Sequence, residues 1–146
     1  MSESLDENLN DDLLAELLFG PAHMLRGTEL DEAELIRIAL DSFDRRPLLV
    51  VRTWMLLDVI LPSSELQAIE DRGLKPTVLY ANHVLFTTQP QEASSYGVIS
   101  AYQTGLDGCI FESKDTLYIL AGRGARKHVS VPAVAALHKS LSRLVR

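Results

Sequence analysis

Between Gly122 and His128 the chain reads Gly-Arg-Gly-Ala-Arg-Lys-His, two glycines and three strongly basic side chains just ahead of a helix start. Glycines let a backbone turn its N–H groups toward an anion, and Arg and Lys supply charge, so this stretch is the best equipped to meet a phosphate. Its spacing is neither GxxxxGK(S/T) nor GxGxxG, and no parallel βαβ unit surrounds it. Two readings follow. One is a basic turn whose glycines permit positive φ. The other is a loop that binds an anion, a nucleotide or nucleic acid through Arg123, Arg126 and Lys127, joined by Lys139 and Arg143 of the following helix.

Glu112-Ser113-Lys114 ends an apolar run with Asp107 five residues earlier. Metal-dependent nucleases of the restriction type hold Mg²⁺ with an Asp and the Glu of an ExK triplet, but a chain with 20 acids produces such a triplet at about the level of chance. His23, His83, His128 and His138 are dispersed without HxH or HExxH spacing, so no zinc site is expected. There is no GxSxG elbow for a serine nucleophile. Cys109 is the single cysteine; it cannot form an internal disulfide and reads as a small buried apolar group, with a reactive thiol as the alternative. Trp54 reads as a core anchor, and Tyr80, Tyr96, Tyr102 and Tyr118 are the aromatic groups a sheet face could present to a ligand. No catalytic residue, metal or cofactor is implied, and a non-enzymatic role ranks ahead of an enzymatic one.

The elements that must position these groups follow from pattern. Residues 1–10 are polar and acidic and read as a disordered tail, leaving 11–146 as one domain long enough to bury a core. Leu13, Leu14, Leu17 and Leu18 have helical spacing after Asp11 and Asp12, and Gly20-Pro21 ends that helix. Thr28 with Asp31 has capping-box spacing before Leu35, Ile36, Ala39, Leu40 and Phe43. Leu48–Leu61 is apolar in both alternating phases apart from Arg52, Thr53 and Asp58, as in a strand covered on both faces. A short helix over 63–73 has Ser64 and Gln67 at capping-box spacing and Gly73 as its stop. Strands are then expected in TVLYANHVLF, VISAYQ, CIFE and LYILA, with a hairpin turn over Ser113–Thr116. Ser130 and Pro132 open a last helix with Val134, Leu137, Leu141 and Leu144 on one stripe. Successive strands with short connections predict an α+β fold: a mostly antiparallel sheet of about five strands with N-terminal, middle and C-terminal helices packed on it.

Charge is unevenly placed. The formal balance is −6, made of −8 over residues 1–46 and +2 over 47–146. From Thr116 onward there are six basic residues and no acid, and Lys139, Arg143 and Arg146 form one helical stripe. Residues 76–106 carry one charge, Glu92, which points to burial or to a contact with another chain. No apolar run reaches the length of a membrane span and the N-terminus lacks a signal-peptide core, so a cytoplasmic protein without a membrane partner is expected.

The segments VVRTWMLLDV, GLKPTVLYANHVLF and GCIFESKDTLYILAGRGARK, within Val51 to Lys127, resemble a bacterial family of small proteins of unknown function met in genomes and on mobile elements. Where that family tends to carry a Gly-Asp-Trp-Val-Arg-like segment this chain has SSYGVIS, and it lacks the Thr-Arg pair that tends to follow the equivalent of Glu112. The resemblance implies a real domain and no catalytic residue. Together these features predict an interaction, inhibitor or regulatory protein that binds a protein partner or a second copy of itself, through its acidic N-terminal helices or its charge-poor sheet. The alternatives are the anion or nucleic-acid-binding module and the ExK nuclease.

Overall fold

The computed structural model describes residues 12, 14, 15, 17, 22–27, 31–42, 46–88 and 97–144. The acidic tail, Thr28, the Ser94–Tyr96 part of SSYGVIS, and Arg146 lie outside these residues, as does the side chain of Arg143. The chain order is β1 (His23–Arg26), α1 (Glu32–Ser42), β2 (Leu48–Ile60), α2 (Ser63–Asp71), β3 (Thr77–Thr87), β4 (Val98–Ile99), β5 (Gln103–Asp107), β6 (Ile110–Ser113), β7 (Leu117–Ser130) and α3 (Val131–Leu144).

Local chemistry sets the helix starts. The Asp31 carboxylate accepts the Glu34 N–H at 2.8 Å, so Asp31 itself caps α1. The Ser130 hydroxyl accepts the Ala133 N–H at 3.2 Å and opens α3. The capping box expected at Ser64 and Gln67 does not form. Pro62 caps α2 without a side-chain bond, and Gln67 reaches forward to Asp71 at 2.8 Å.

The fold is α+β, but the sheet is mixed rather than mostly antiparallel and, among the described residues, has seven strands rather than about five. Its order is β4-β3-β2-β7-β6-β5, with β1 added to β7. All pairs are antiparallel except β2 with β7. The parallel pair is a consequence of parity. Passing through β2, β3, β4 with β5, β6 and β7, the chain makes an odd number of passes, so the first and last point the same way and must pair in parallel when brought together. β4 and β5 sit at opposite ends of the sheet order although only residues 100–102 separate them. The sheet is therefore curled until its edges approach, and the Lys75 N–H donates to the Gln103 carbonyl at 2.9 Å across the meeting point. Curling covers edges that would otherwise offer unpaired backbone groups.

β7 is long enough to serve two partners on one side. Its first part pairs with β6 over Leu117–Ile119, and its second with β1 over Arg123–Arg126. The segment 122–128 is consequently the second half of a central strand and not a loop or turn. The turn reading fails because the pairing partners that extend it, β1 and the far end of β2, are distant in sequence.

Three apolar clusters result. Leu49, Val51, Trp54, Leu56, Leu79, Ala81, Phe111, Tyr118 and Leu120 fill the concave side. Leu35 of α1 packs on Leu48, Val50, Leu117, Ile119 and Ala121, and Leu17, Ala133 and Leu137 pack on Leu57, Val59, Val78, Tyr80 and Val129. In β2 the concave set has odd numbers before Arg52 and even numbers after Thr53. A strand alternates faces with period two, so the chain must slip by one residue between them.

Candidate functional site

The slip happens at Thr53, whose φ of 55 places a β-branched residue in the left-handed region. Opposite it, β7 carries a bulge: Arg52 pairs with Ala121 and Trp54 with Gly124, leaving Gly122 and Arg123 against Thr53. Gly122 takes φ 70, the left-handed conformation that a bulge of this kind demands. On the other flank Asn82 and His83 of β3 are both exposed, so β2, β3 and β7 break their inside-outside alternation at one level. Thr53 Oγ1 and His83 Nδ1 lie 3.3 Å apart across the break. Bulges and left-handed non-glycine residues concentrate where a structure needs to re-aim side chains.

The break aims Trp54 inward. Its indole lies flat on Gly124, where an added Cβ would come within 2.2 Å of Cδ2, and its Nε1–H donates to the Ala121 carbonyl at 3.2 Å. On the convex side, between the zone under α1 and the zone under α3, the same level opens a groove of about 560 Å³. Met24, Met55 and Tyr80 give it apolar walls, with Thr53, Asn82 and Arg123 among its polar groups, and the strand at Trp54, whose ring turns to the other face, forms its base. Met24, Ala125, Met55 and Tyr80 stand in one row across β1, β7, β2 and β3 by register. The Tyr80 hydroxyl donates to Asn82 Oδ1, and burial pushes the Tyr80 phenol up from its ordinary pKa, keeping it a neutral donor. Among the described residues neither amide hydrogen of Asn82 has a partner. Arg123 is exposed and, among the described residues, has no ion pair or hydrogen bond from its side chain.

A second polar group sits further along the same strands. Asp58 Oδ2 accepts Arg126 Nε–H at 2.7 Å, Oδ1 accepts Nη2–H at 2.8 Å, and Oδ1 also accepts the buried Thr77 hydroxyl at 2.7 Å. Burial pushes the Asp58 carboxyl up, yet the hydrogen bonds from Arg126 and Thr77, with the charges of Arg126 and His128, prevail and hold it below the ordinary carboxylate value. The same pair raises the Arg126 guanidinium, through its hydrogen bond to Asp58 and against burial. Asp58, Thr77, Arg126, His128 and Lys75 line a cleft of about 510 Å³ with Ile60, Leu61, Leu66 and Pro76.

The basic residues singled out in the sequence are dispersed by this geometry. Arg123 borders the groove, and Arg126 is paired with Asp58. Lys127 is buried, with Nζ donating to the Leu17 carbonyl at 2.7 Å. Arg126 and Lys127, being neighbours in a strand, face opposite sides. Lys139 is exposed on α3, and Arg143 lies on the same helix. Of the ExK residues, Glu112 is held by Thr104 at 3.1 Å and Arg46 at 3.4 Å, while Asp107 and Lys114 are exposed. Among the described residues no three His, Cys, Asp or Glu side chains gather as metal ligands. Cys109 is half-buried between two apolar clusters.

Sequence reasoning passed over Thr53, Asn82 and Asp58 as site residues. Their signal was present as polar interruptions, Arg-Thr and Asn-His, inside otherwise apolar strands, and as one acid in a continuous apolar run. No helix among the described residues is long and apolar enough to cross a membrane. Neither a curated protein nor a solved structure matches the chain. Residues 26–136 match the family described as Domain of unknown function (DUF6957), and the chain belongs to that family.

Proposed function

We propose that this protein is a non-enzymatic interaction protein that seats, in the groove over Trp54, a partner-protein segment carrying an apolar side chain beside an acidic one. The observation that carries the reading is the groove itself, apolar along Met24, Met55 and Tyr80 and bordered by Arg123, which has no partner among the described residues. An apolar seat with a few placed polar groups is the usual form of a recognition site, and anchor side chains in such seats supply most of the binding energy. Met24 is 71 % exposed, more than any other large apolar side chain among the described residues, so covering it removes apolar surface from water. Arg52 adds to the charge, since its Nε lies over Gly122 beside Arg123. A partner acid would meet two guanidinium groups, which favours encounter with acidic segments and disfavours basic ones.

A photo-crosslinking residue in place of Met24 tests this in living cells. The expected result is a discrete protein adduct that disappears in Arg123→Glu, with no adduct from the same probe at Leu106. An adduct indifferent to Arg123→Glu, or one formed equally at Leu106, would remove the groove from the account. RNA captured at Met24, released by salt, would give the site to a nucleic acid instead.

A further inference from the structure

We propose that the cleft at the end of the curled sheet binds an organic oxyanion, a carboxylate or phosphate on an apolar body, held by the outer edge of the Arg126 guanidinium with Lys75 and His128 beside it. This site is separate from the groove over Trp54 and does not depend on how that groove is used.

Position comes first. After the slip at Thr53, the even-numbered residues of β2 face the concave side, and Asp58 continues the phase of Trp54 and Leu56. Thr77 continues the phase of Leu79 and Ala81 on β3 and pairs with Asp58. On β7, Arg126 pairs with Leu56 and His128 with Asp58. Four polar side chains from three strands therefore converge where the apolar filling of the concave side ends.

Arg126 is held rather than merely present. A guanidinium has five N–H donors. Asp58 takes the Nε–H and one Nη2–H, the side-on edge, at 2.7 and 2.8 Å. Asp58 is in turn fixed by the Thr77 hydroxyl, itself 2 % exposed, at 2.7 Å. The end-on edge, Nη1 with the second Nη2–H, has no partner among the described residues. That edge is the fork that fits a carboxylate or phosphate in two parallel bonds, and a pre-set rotamer removes the entropy cost of ordering it.

Charge and shape agree with an oxyanion. Asp58 offsets Arg126, but Lys75 and His128 line the same cleft with no side-chain partner among the described residues. The cleft thus keeps a surplus of positive charge in a chain of net charge −6. Ile60, 63 % exposed, stands with Leu61, Leu66 and Pro76 as an apolar wall, so the ligand is larger than an inorganic ion.

Titration of the full chain with phenyl phosphate, benzoate and inorganic phosphate, followed by backbone amide shifts at constant ionic strength in chloride, tests the site. Saturable shifts at Thr77, Arg126 and His128 are expected, with the aromatic anions binding more tightly than inorganic phosphate. Lys75→Ala and His128→Ala change exposed residues; each should weaken binding several-fold, and Arg126→Lys, which keeps charge but loses the fork, by about tenfold or more. Saturation by phenyl phosphate alone would identify the phosphate source, and by benzoate alone the carboxylate. Shifts that chloride reproduces, no saturation with either aromatic anion, or affinities unchanged in all three variants would overturn the proposal.

Discussion

β2 and β7 run side by side through two polar levels that solve the same problem in opposite ways. At Thr53 and Gly122 the ladder loses its register, two residues take left-handed φ, and the polar side chains there bond little to one another. At Asp58 and Arg126 the register is regular, the two side chains share two hydrogen bonds, and the Thr77 hydroxyl adds a third to Asp58. The first level spends backbone conformation to aim side chains; the second spends side-chain bonds to fix one arginine. Among the described residues the first level leaves Arg123 unbonded, whereas the second leaves only the outer edge of an arginine that is otherwise fixed.

The largest test of this contrast falls on the floor of the first level. Gly124→Ala puts a methyl where the Trp54 ring already lies, 2.2 Å from Cδ2 and 2.4 Å from Cε2. Neither the ring, tied to Ala121 by its N–H, nor the paired backbone has room to give. The loss should be about 3 kcal/mol, visible in urea unfolding as a lower midpoint with an unchanged slope. A loss under about 1 kcal/mol would mean that Trp54 moves freely and does not hold the strands beneath the groove in place.

The second level should respond less strongly and with a pH signature. Asp58→Ala leaves the Arg126 and Thr77 donors unmatched, but the Arg126 side chain is 37 % exposed and water can reach it. We expect about 1–2 kcal/mol, between the values for exposed and buried pairs. The folded carboxyl lies below its ordinary value, so its contribution is complete above about pH 4 and is lost as pH falls through the folded pKa. The stability gap between the wild type and Asp58→Ala should therefore be constant from pH 5 to 7 and shrink steadily as pH falls below about 4. A gap that does not shrink at all on acidification, down to the pH at which the wild type unfolds, would show that the pair stabilises by packing and not by charge.

Local signals in the sequence carried over to three dimensions where the partners were near in sequence. The hairpin turn at Ser113–Thr116 forms, with the Ser113 N–H donating to the Thr116 carbonyl at 3.0 Å, and Ser130 opens α3 as its hydroxyl and Pro132 implied. The apolar run from Leu48 is a strand buried on both faces except at its polar interruptions and at its last residue, Ile60. What failed was non-local. Nothing in LYILAGRGARKHVS says that β1, about a hundred residues earlier, will pair with Arg123–Arg126 and hold the whole stretch extended. Glycine and basic residues suggest a loop on propensity alone, and tertiary pairing overrides it. The parallel pairing of β2 with β7 was equally hidden, because it follows from counting passes and closing the sheet, not from either strand's composition. The groove was half legible: Arg52-Thr53 and Asn82-His83 interrupt their strands visibly, but that they fall at one level depends on register.

The smallest expected effect is the most direct reading of strain at the first level. Thr53 holds φ 55 with a β-branched side chain, whose hydroxyl lies 3.3 Å from His83 Nδ1. Glycine reaches that φ without steric cost, and alanine reaches it with nearly the cost that threonine bears. Thr53→Gly should therefore be more stable than Thr53→Ala by about 0.5–1 kcal/mol, a rise of a few degrees in Tm, despite the entropy that glycine adds to the unfolded chain. Both variants lose the hydroxyl, so the difference between them isolates the backbone. If the two have equal Tm, the left-handed residue costs nothing and the break in alternation is simply where the sheet bends. If glycine gains while the Met24 crosslink weakens, the strain is retained because the groove needs a residue with a side chain and a fixed φ at this position.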